Sequence, residues 1–487
     1  MLDIAHQLPA FAVILIVALG LGVLHQRRPK SDESLPPGPP GVPLLGNLLY
    51  VPGEHLATYF RRLFEVYGGI VSLKIASFRL VLIGDLKIAK ELLEKRAARH
   101  SSRPAVYYIV NPMQALWPTI EEGRDHTLAR KLTTGVMSTV RAGKTEPLQE
   151  FEAILNLQRL LDDGGTEWFR YMNLIAADSF LTAAFGMHSP TGHESDFKEV
   201  LGVIDEIVAH TAPSASIVNV FPFLDLLPGP MPWRIRAQAF QRRQDAIYKE
   251  LLDEAVTGKA SGMNTWAGEF VREGEHEGNK LIRGLTAAGI DTTAISLQIF
   301  VLACVRYPEW IPTAQKELDA VVGIDRLPSF KDRPFLPYVE AIVRETYRWR
   351  PAARFGIPHQ SIADDVIEYQ GREYFIPKGS IIFSVTWAIE HDRSKFEDHD
   401  RFMPERFLDA RGNLKSDYET SAFGFGRRGC PGIPFAERTL WINIATMLWT
   451  FNIRRSDLPD PKTGLPFRYD DSDAAFSGNV CPQFWIY

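Results

Sequence analysis

The chain has 487 residues, 45% of them apolar and 23% charged, a globular balance that excludes a disordered or fibrous protein. Its formal net charge of −5 argues against a dedicated nucleic-acid binder, which carries a basic excess. Only 3 Cys are present (Cys304, Cys430, Cys481), which excludes a disulfide framework and leaves each Cys as a buried small hydrophobe or a ligand.

Residues 8–24 form an uncharged apolar run at the short end of a bilayer-spanning helix. Arg27, Arg28 and Lys30 follow it, which places the rest of the chain in the cytoplasm. A cleaved signal peptide has its basic residues before the apolar run, so the expectation is an uncleaved single-pass anchor; a buried helix or a signal core is the alternative. Residues 25–41 read as a basic stop and a proline-rich hinge, where Pro36, Pro37, Pro39 and Pro40 forbid a helix and favour a stiff extended segment.

Residues 42–487 contain no repeat and no second linker, so they read as one domain. Leu56–Tyr67 has helical spacing, Ile70–Ile75 and Leu80–Ile83 read as strands, and Leu86–Ala97 as helix. Ser102–Glu122, with Pro104, Pro112 and Pro118, is a long loop of the kind that carries function. Helical patterns occupy Asp125–Met137, Glu146–Gly186, Phe197–His210 and Arg234–Ala255, with a proline-rich break over Thr211–Trp233. From about Lys280 to Tyr307 runs a helix apolar on most faces, which should cross the core. Ile311–Val322 and Tyr338–Trp349 are amphipathic helices, and Val366–Tyr374 and Gly379–Ser384 read as strands. The fold class is mainly α with small β-sheets.

Three motifs carry chemistry. In Phe423–Gly432 a Cys sits in a Gly-rich loop before the helix Ile433–Leu448. Glycines let the backbone approach a flat ligand, and peptide N–H groups, the helix N-terminus and Arg428 favour a thiolate. Such a sulfur is a soft ligand suited to iron; the alternative is a buried structural Cys. In the core helix, Ala288-Gly289-Ile290-Asp291-Thr292-Thr293 puts helix-averse and polar residues in a buried stretch. Either the helix opens there beside a ligand, with Asp291 and Thr292 as a proton-delivery pair, or threonine back-bonding stabilises a kink. The third motif is Glu345 with Arg348, one helical turn apart, and Arg406 later; alone, such a pair reads as a surface ion pair.

Together and in this order, the motifs resemble the membrane-anchored, fungal-type cytochrome P450 superfamily of haem-thiolate monooxygenases. The resemblance covers nearly the whole chain. Phe423, Gly426, Arg428, Cys430 and Gly432 match the Cys loop; Ala288, Gly289, Asp291 and Thr292 match the oxygen-activation motif; Glu345, Arg348 and Arg406 match the structural triad. The resemblance implies the cytochrome P450 fold behind one N-terminal transmembrane helix, with 42–487 as the haem-thiolate monooxygenase domain. It implies haem b with Cys430 as iron ligand, where the thiolate favours O–O cleavage. It also implies Asp291 and Thr292 as the proton relay and Glu345, Arg348 and Arg406 as folding elements.

Arg428 and His359 match positions that face the haem propionates. In the helix after the long loop the family shows Trp and Arg where this chain has His126 and Thr127, while Arg130 keeps the later Arg. His126 either replaces the lost propionate contact or fills a Trp-shaped gap. Arg354, five residues before His359, needs a partner if buried: a propionate, a protein carboxylate, or a carboxylate or carbonyl of the substrate. Tyr107, Tyr108, Trp117, Phe355 and Ala288 complete the expected substrate wall. NADPH and flavins would act only through a partner flavoprotein reductase, docking near Arg427 and Arg438. The implied reaction is oxygenation of an apolar or aromatic small molecule in secondary metabolism, at the endoplasmic reticulum membrane, with no nucleic-acid partner. The same haem chemistry also serves ring closure, desaturation or aryl coupling; a non-catalytic haem sensor is the remote alternative.

Overall fold

The computed structural model describes residues 35–52, 55–104, 121–189, 195–211, 218, 222–257, 265–273 and 275–454. The expected anchor at 8–24 lies outside them, as do Tyr107, Tyr108, Trp117, Cys481 and the tail. The α-helices of five residues or more, in chain order, are α1 (Leu56–Tyr67), α2 (Leu86–Lys90), α3 (Arg124–Arg141), α4 (Glu146–Asp162), α5 (Trp168–Phe185), α6 (Ser195–Thr211), α7 (Pro232–Thr257), α8 (Trp266–Glu273), α9 (Glu275–Arg306), α10 (Ile311–Val321), α11 (Pro337–Trp349), α12 (Thr386–Glu390) and α13 (Ile433–Thr450). The strands are β1 (Ile70–Ile75), β2 (Phe78–Ile83), β3 (His359–Gln360), β4 (Asp365–Tyr369), β5 (Arg372–Ile376) and β6 (Ile381–Ser384). The fold is mainly helical with small sheets, as expected.

The largest core is built where α9 runs past α5, α11 and α13. Ile295, Leu297, Phe300 and Ala303 of α9 meet Met172 and Ile175 of α5, Val339 and Ile342 of α11, and Leu440 to Leu448 of α13. Cys304 is in this cluster as a small hydrophobe, its thiol pushed up by burial. Among the described residues, the helix long and apolar enough to cross a membrane is Ile282–Arg306, and most of it is buried inside the protein. It is a core helix. Tyr307-Pro308 ends it, because proline cannot continue the backbone ladder.

A four-stranded sheet in the order β1-β2-β6-β3 packs beside the helices. β1 and β2 are antiparallel, β2 and β6 parallel, and β3 adds antiparallel to β6 through His359 opposite Ile382. The proline segment is extended, as its residues require, but it is docked on β1 rather than free. The Ser72 N–H donates to Pro37 O at 2.9 Å, and Asn47 Nδ2 donates to Pro39 O and Pro40 O. A Cβ on Gly38 would lie 2.0 Å from Ser72 O, so glycine is required by the close approach.

Two expected elements differ. Val366–Tyr374 is not one strand: β4 and β5 form a hairpin turned at Gln370 and Gly371, with φ of 51° and 74°. Apolar and aromatic residues on both sides mask the turn in the sequence. The helix expected over Leu86–Ala97 loosens after α2 into a π turn, Glu91–Lys95. The Asp85 side chain caps its start, accepting from Lys87 N at 2.6 Å and Ile88 N at 3.2 Å.

Candidate active site

The Cys loop is shaped by its glycines. Gly424 and Gly426 have φ of 71° and 53°, which L-residues avoid. A Cβ on Gly426 would stand 2.3 Å from Leu93 O, so the loop is pressed onto the π turn Glu91–Lys95. The glycine admits a neighbouring backbone here, not a flat ligand. The Cys430 N–H donates to Phe423 O at 2.7 Å and closes the loop. The Phe423 ring packs edge-on against Tyr347 of α11, at 4.8 Å between centroids.

Cys430 is exposed, yet protein encloses it so fully that burial pushes its thiol up. Exposure and enclosure together mean that the residue faces an internal space. The N–H groups of Gly432 and Ile433 and the charge of Arg130 act in the other direction. The supporting cation is therefore Arg130 of α3, which also donates to Gly429 O. The expected cation, Arg428, turns away, and its Nε donates to Ser101 O at 2.8 Å.

Arg428 is buried, and the chain it meets leads to β3. Arg103, also buried, donates from Nη1 to Ile357 O at 2.8 Å and to Pro358 O at 2.7 Å. His359 follows, buried, with Nδ1 donating to His100 O at 2.9 Å. His126 lies one turn before Arg130 on α3 and is buried. Burial first, then Arg428, Arg130, Arg103 and Arg427, depresses His126 to about 4. Burial, then Arg103 among the charges, holds His359 well below the usual histidine range, with Arg428 adding to it.

Arg428, Arg130, His126 and His359 thus share one electrostatic neighbourhood, as their expected roles require. Arg103 belongs to it as well, although no motif marks it. Its one signal in the sequence is its place directly before Pro104, at the mouth of the long loop. The strongest charges acting on His126 are all arginines, and such a buried excess of positive charge suits a bound dianion. His359 adds a constraint. Its Nδ1 proton is committed to a carbonyl, so the neutral ring offers only an acceptor at Nε2. Donation to a carboxylate requires the imidazolium.

The central helix α9 is unbroken from Glu275 to Arg306, so the expected local opening is not there. Thr292 Oγ1 donates to Ala288 O at 2.7 Å and Thr293 Oγ1 to Gly289 O at 2.8 Å. Back-bonding absorbs the hydroxyls. Gly289 serves packing: a Cβ there would lie 2.5 Å from the Phe180 ring of α5. Even so, Ala288 is exposed while Leu285, Ile290 and Ala294 around it are buried, so this face of a core helix opens onto internal space. Burial, and secondarily Asp205 of α6, push the Asp291 carboxyl up to about 7. An acid at that value can both hold and release a proton near neutrality.

The third motif is not a surface pair. Glu345 and Arg348 are fully buried, with Arg348 Nε to Glu345 Oε2 at 2.6 Å and Nη2 to Oε1 at 2.8 Å. Arg406 Nε reaches Glu345 Oε1 at 3.1 Å. Arg354 is buried too, and its guanidinium carbon lies 5.1 Å from the Trp387 ring centroid. Phe355 packs edge-on against Phe60 at 5.5 Å, inside the cluster under the sheet rather than on an open wall. Arg427 pairs with Glu122, and Arg438 binds Glu146, Pro434 O and Arg141 O, so both arginines near Cys430 have internal partners.

Comparison with known proteins agrees with this geometry. The cytochrome P450 family model matches residues 36–467. The chain is 34% identical to cytochrome P450 monooxygenase 58 of Postia placenta, over 97% of this chain and 93% of the relative. It is 34% identical to cytochrome P450 monooxygenase drtD of Aspergillus calidoustus, over 90% and 83%, and 33% identical to monooxygenase astF of Aspergillus oryzae, over 93% and 86%. The chain belongs to the cytochrome P450 family and is a cytochrome P450 monooxygenase.

Proposed function

We propose that this enzyme binds haem b through Cys430 and oxidises an apolar or aromatic small molecule of fungal secondary metabolism. Electrons would come from NADPH through a flavoprotein reductase, at the endoplasmic reticulum membrane. The observation that carries the assignment is the enclosed but exposed Cys430 beside Arg103, His126, Arg130, Arg428 and His359. A soft sulfur and a convergent cationic cluster fit an iron porphyrin with two carboxylates.

When bound, the haem supplies the activation of molecular oxygen. The chain's own residues do the rest. The N–H groups of Gly432 and Ile433 and the charge of Arg130 stabilise an anionic sulfur. Arg103, Arg428 and Arg130 would hold the propionates; His359, neutral on its own, would join them as an imidazolium only under the negative charge of a bound propionate, with neutral His126 packed among them. Asp291 carries a proton at its carboxyl beside the Thr292 hydroxyl on the open face of α9.

The test combines a ligand variant with a product assay. Cys430→Ala should abolish the thiolate-type CO spectrum of the reduced protein, whereas Cys304→Ala should keep it. Co-expression with a reductase should yield a metabolite heavier by one oxygen atom. A product lighter by two hydrogens would instead assign desaturation, ring closure or coupling. An unchanged spectrum in the Cys430 variant would overturn the site.

A further inference from the structure

A second cluster of chemistry-bearing side chains lies outside this site, where α5 ends against α4. Gly186, with φ of 72°, turns the chain out of α5. The turn brings His188 back over α4, with Nδ1 3.0 Å from Glu152 Oε1 and its ring 6.0 Å from that of Phe151. Glu152 of α4 and Asp178 of α5 are fully buried, while the His188 side chain is 29% exposed at the rim. Arg159, two turns along α4 from Glu152, donates to Asp178 Oδ2 at 2.9 Å and to Ser189 O at 3.0 Å. The Ser189 N–H donates to Asp178 Oδ1 at 3.3 Å.

One carboxylate oxygen in this arrangement is unaccounted for. Glu152 Oε2 is buried and has no hydrogen-bond partner. A carboxylate oxygen withdrawn from water without a donor is costly, and native structures rarely keep one without reason. One donor atom each from Glu152, Asp178 and His188 lies within 4.8 Å of the others. Ligands of one first-row ion with bonds of ~2.0–2.2 Å stand at most ~4.4 Å apart, so binding would draw these three atoms slightly together.

We propose that Glu152, Asp178 and His188 bind one divalent transition-metal ion of the zinc class, clamping the turn after α5 onto α4. The donor set favours this class. An imidazole with only two carboxylates suits zinc better than magnesium or calcium, which require more oxygen ligands. Arg159 then has a role beside the ion: it fixes the orientation of the ligating Asp178, as hydrogen bonds to metal-bound carboxylates do. On binding, the proton between His188 Nδ1 and Glu152 would be released to water, and the freed nitrogen and carboxylate would both turn to the metal.

The test uses tag-free, haem-loaded enzyme treated with a chelator and dialysed against zinc. Expected is one zinc per chain in addition to the haem iron, with a higher thermal midpoint. Both effects should disappear in His188→Ala, a rim substitution that leaves the core intact, and in Glu152→Gln, with an unchanged haem spectrum confirming the fold of each. Absence of stoichiometric zinc in the wild type overturns the proposal, as does zinc retained by both variants. A thermal midpoint that responds to pH but not to zinc assigns the cluster to a proton on His188 and also overturns it.

Discussion

Asp291 sits at the middle of a core helix, where burial and Asp205 of α6 both oppose its ionisation. An unperturbed aspartate titrates near ~3.9, and in the fold this one is pushed up to about 7. The folded state therefore favours the neutral acid, and its stability falls as pH rises from about 4 through about 7. Asp291→Asn removes the penalty: the variant should match the wild type at pH 4 and be more stable at pH 8. Every tenfold weakening of the acid by the fold is worth ~1.4 kcal/mol, so the gap at pH 8 is of order a few kcal/mol. Chemical denaturation at the two pH values measures it; parallel curves would show that Asp291 is not held neutral. The same variant should lose coupled turnover by roughly 10²–10⁴-fold, since a carboxamide cannot relay a proton. A group that costs stability and carries activity is one that function retains. Asp291 and Cys430 were legible in the sequence because their chemistry is rare in their settings. Arg103 was not, since nothing local marks an arginine as buried.

At the scale of elements, the Glu345 network shows how far a residue pair can mislead when read alone. An i,i+3 Glu–Arg pair on an amphipathic helix looks solvent-facing, but α11 turns that face inward. Arg348 also donates from Nη1 to Glu390 O and His399 O and from Nη2 to Arg401 O, and the Met403 N–H donates to Glu345 Oε1. The pair therefore ties α11 to the chain between α12 and Arg406. Removing one partner of a buried pair typically costs ~3–5 kcal/mol, because the other charge is stranded. Arg348→Leu should thus destroy soluble, haem-loaded yield. Arg406→Leu should be milder, because Glu345 keeps Arg348 and the Met403 N–H. Arg348→Lys should not rescue, since one ammonium cannot replace the planar fork. Thermal midpoints and haem content rank the three; equal behaviour of the Arg348 and Arg406 variants would refute this ordering. Most helices were readable from periodicity, but the short α8 and α12 were not among the expected elements. The π turn was not readable, because the Cys loop pressed onto it is distant in sequence, and the β4–β5 turn was hidden by the apolar and aromatic residues on both sides.

For the whole molecule, the boundary expected at residue 41, between hinge and body, adjoins a hydrogen-bonded segment. Pro36 is buried, and Pro37, Pro39 and Pro40 offer their carbonyls to Ser72 and Asn47. Asn47 in turn accepts from the Lys74 N–H at 2.9 Å, so the segment, the following turn and β1 form one hydrogen-bonded unit. A stiff proline run loses little entropy on docking, which suits it to cover a sheet edge without donating to it. Deleting residues 1–30 should leave this unit intact, with an unchanged thermal midpoint and full haem loading. Deleting residues 1–41 should strip the carbonyls from Ser72 and Asn47 and uncover the edge of β1. Each lost hydrogen bond is worth ~0.5–1.5 kcal/mol, so a loss of a few kcal/mol and several degrees is expected. Gly38→Ala in the full chain should reproduce part of that loss, since its Cβ would meet Ser72 O. Equal midpoints for the two deletions would show that the segment is only a tether. A lower midpoint for the longer deletion and for Gly38→Ala would make the proline run part of the folded sheet unit.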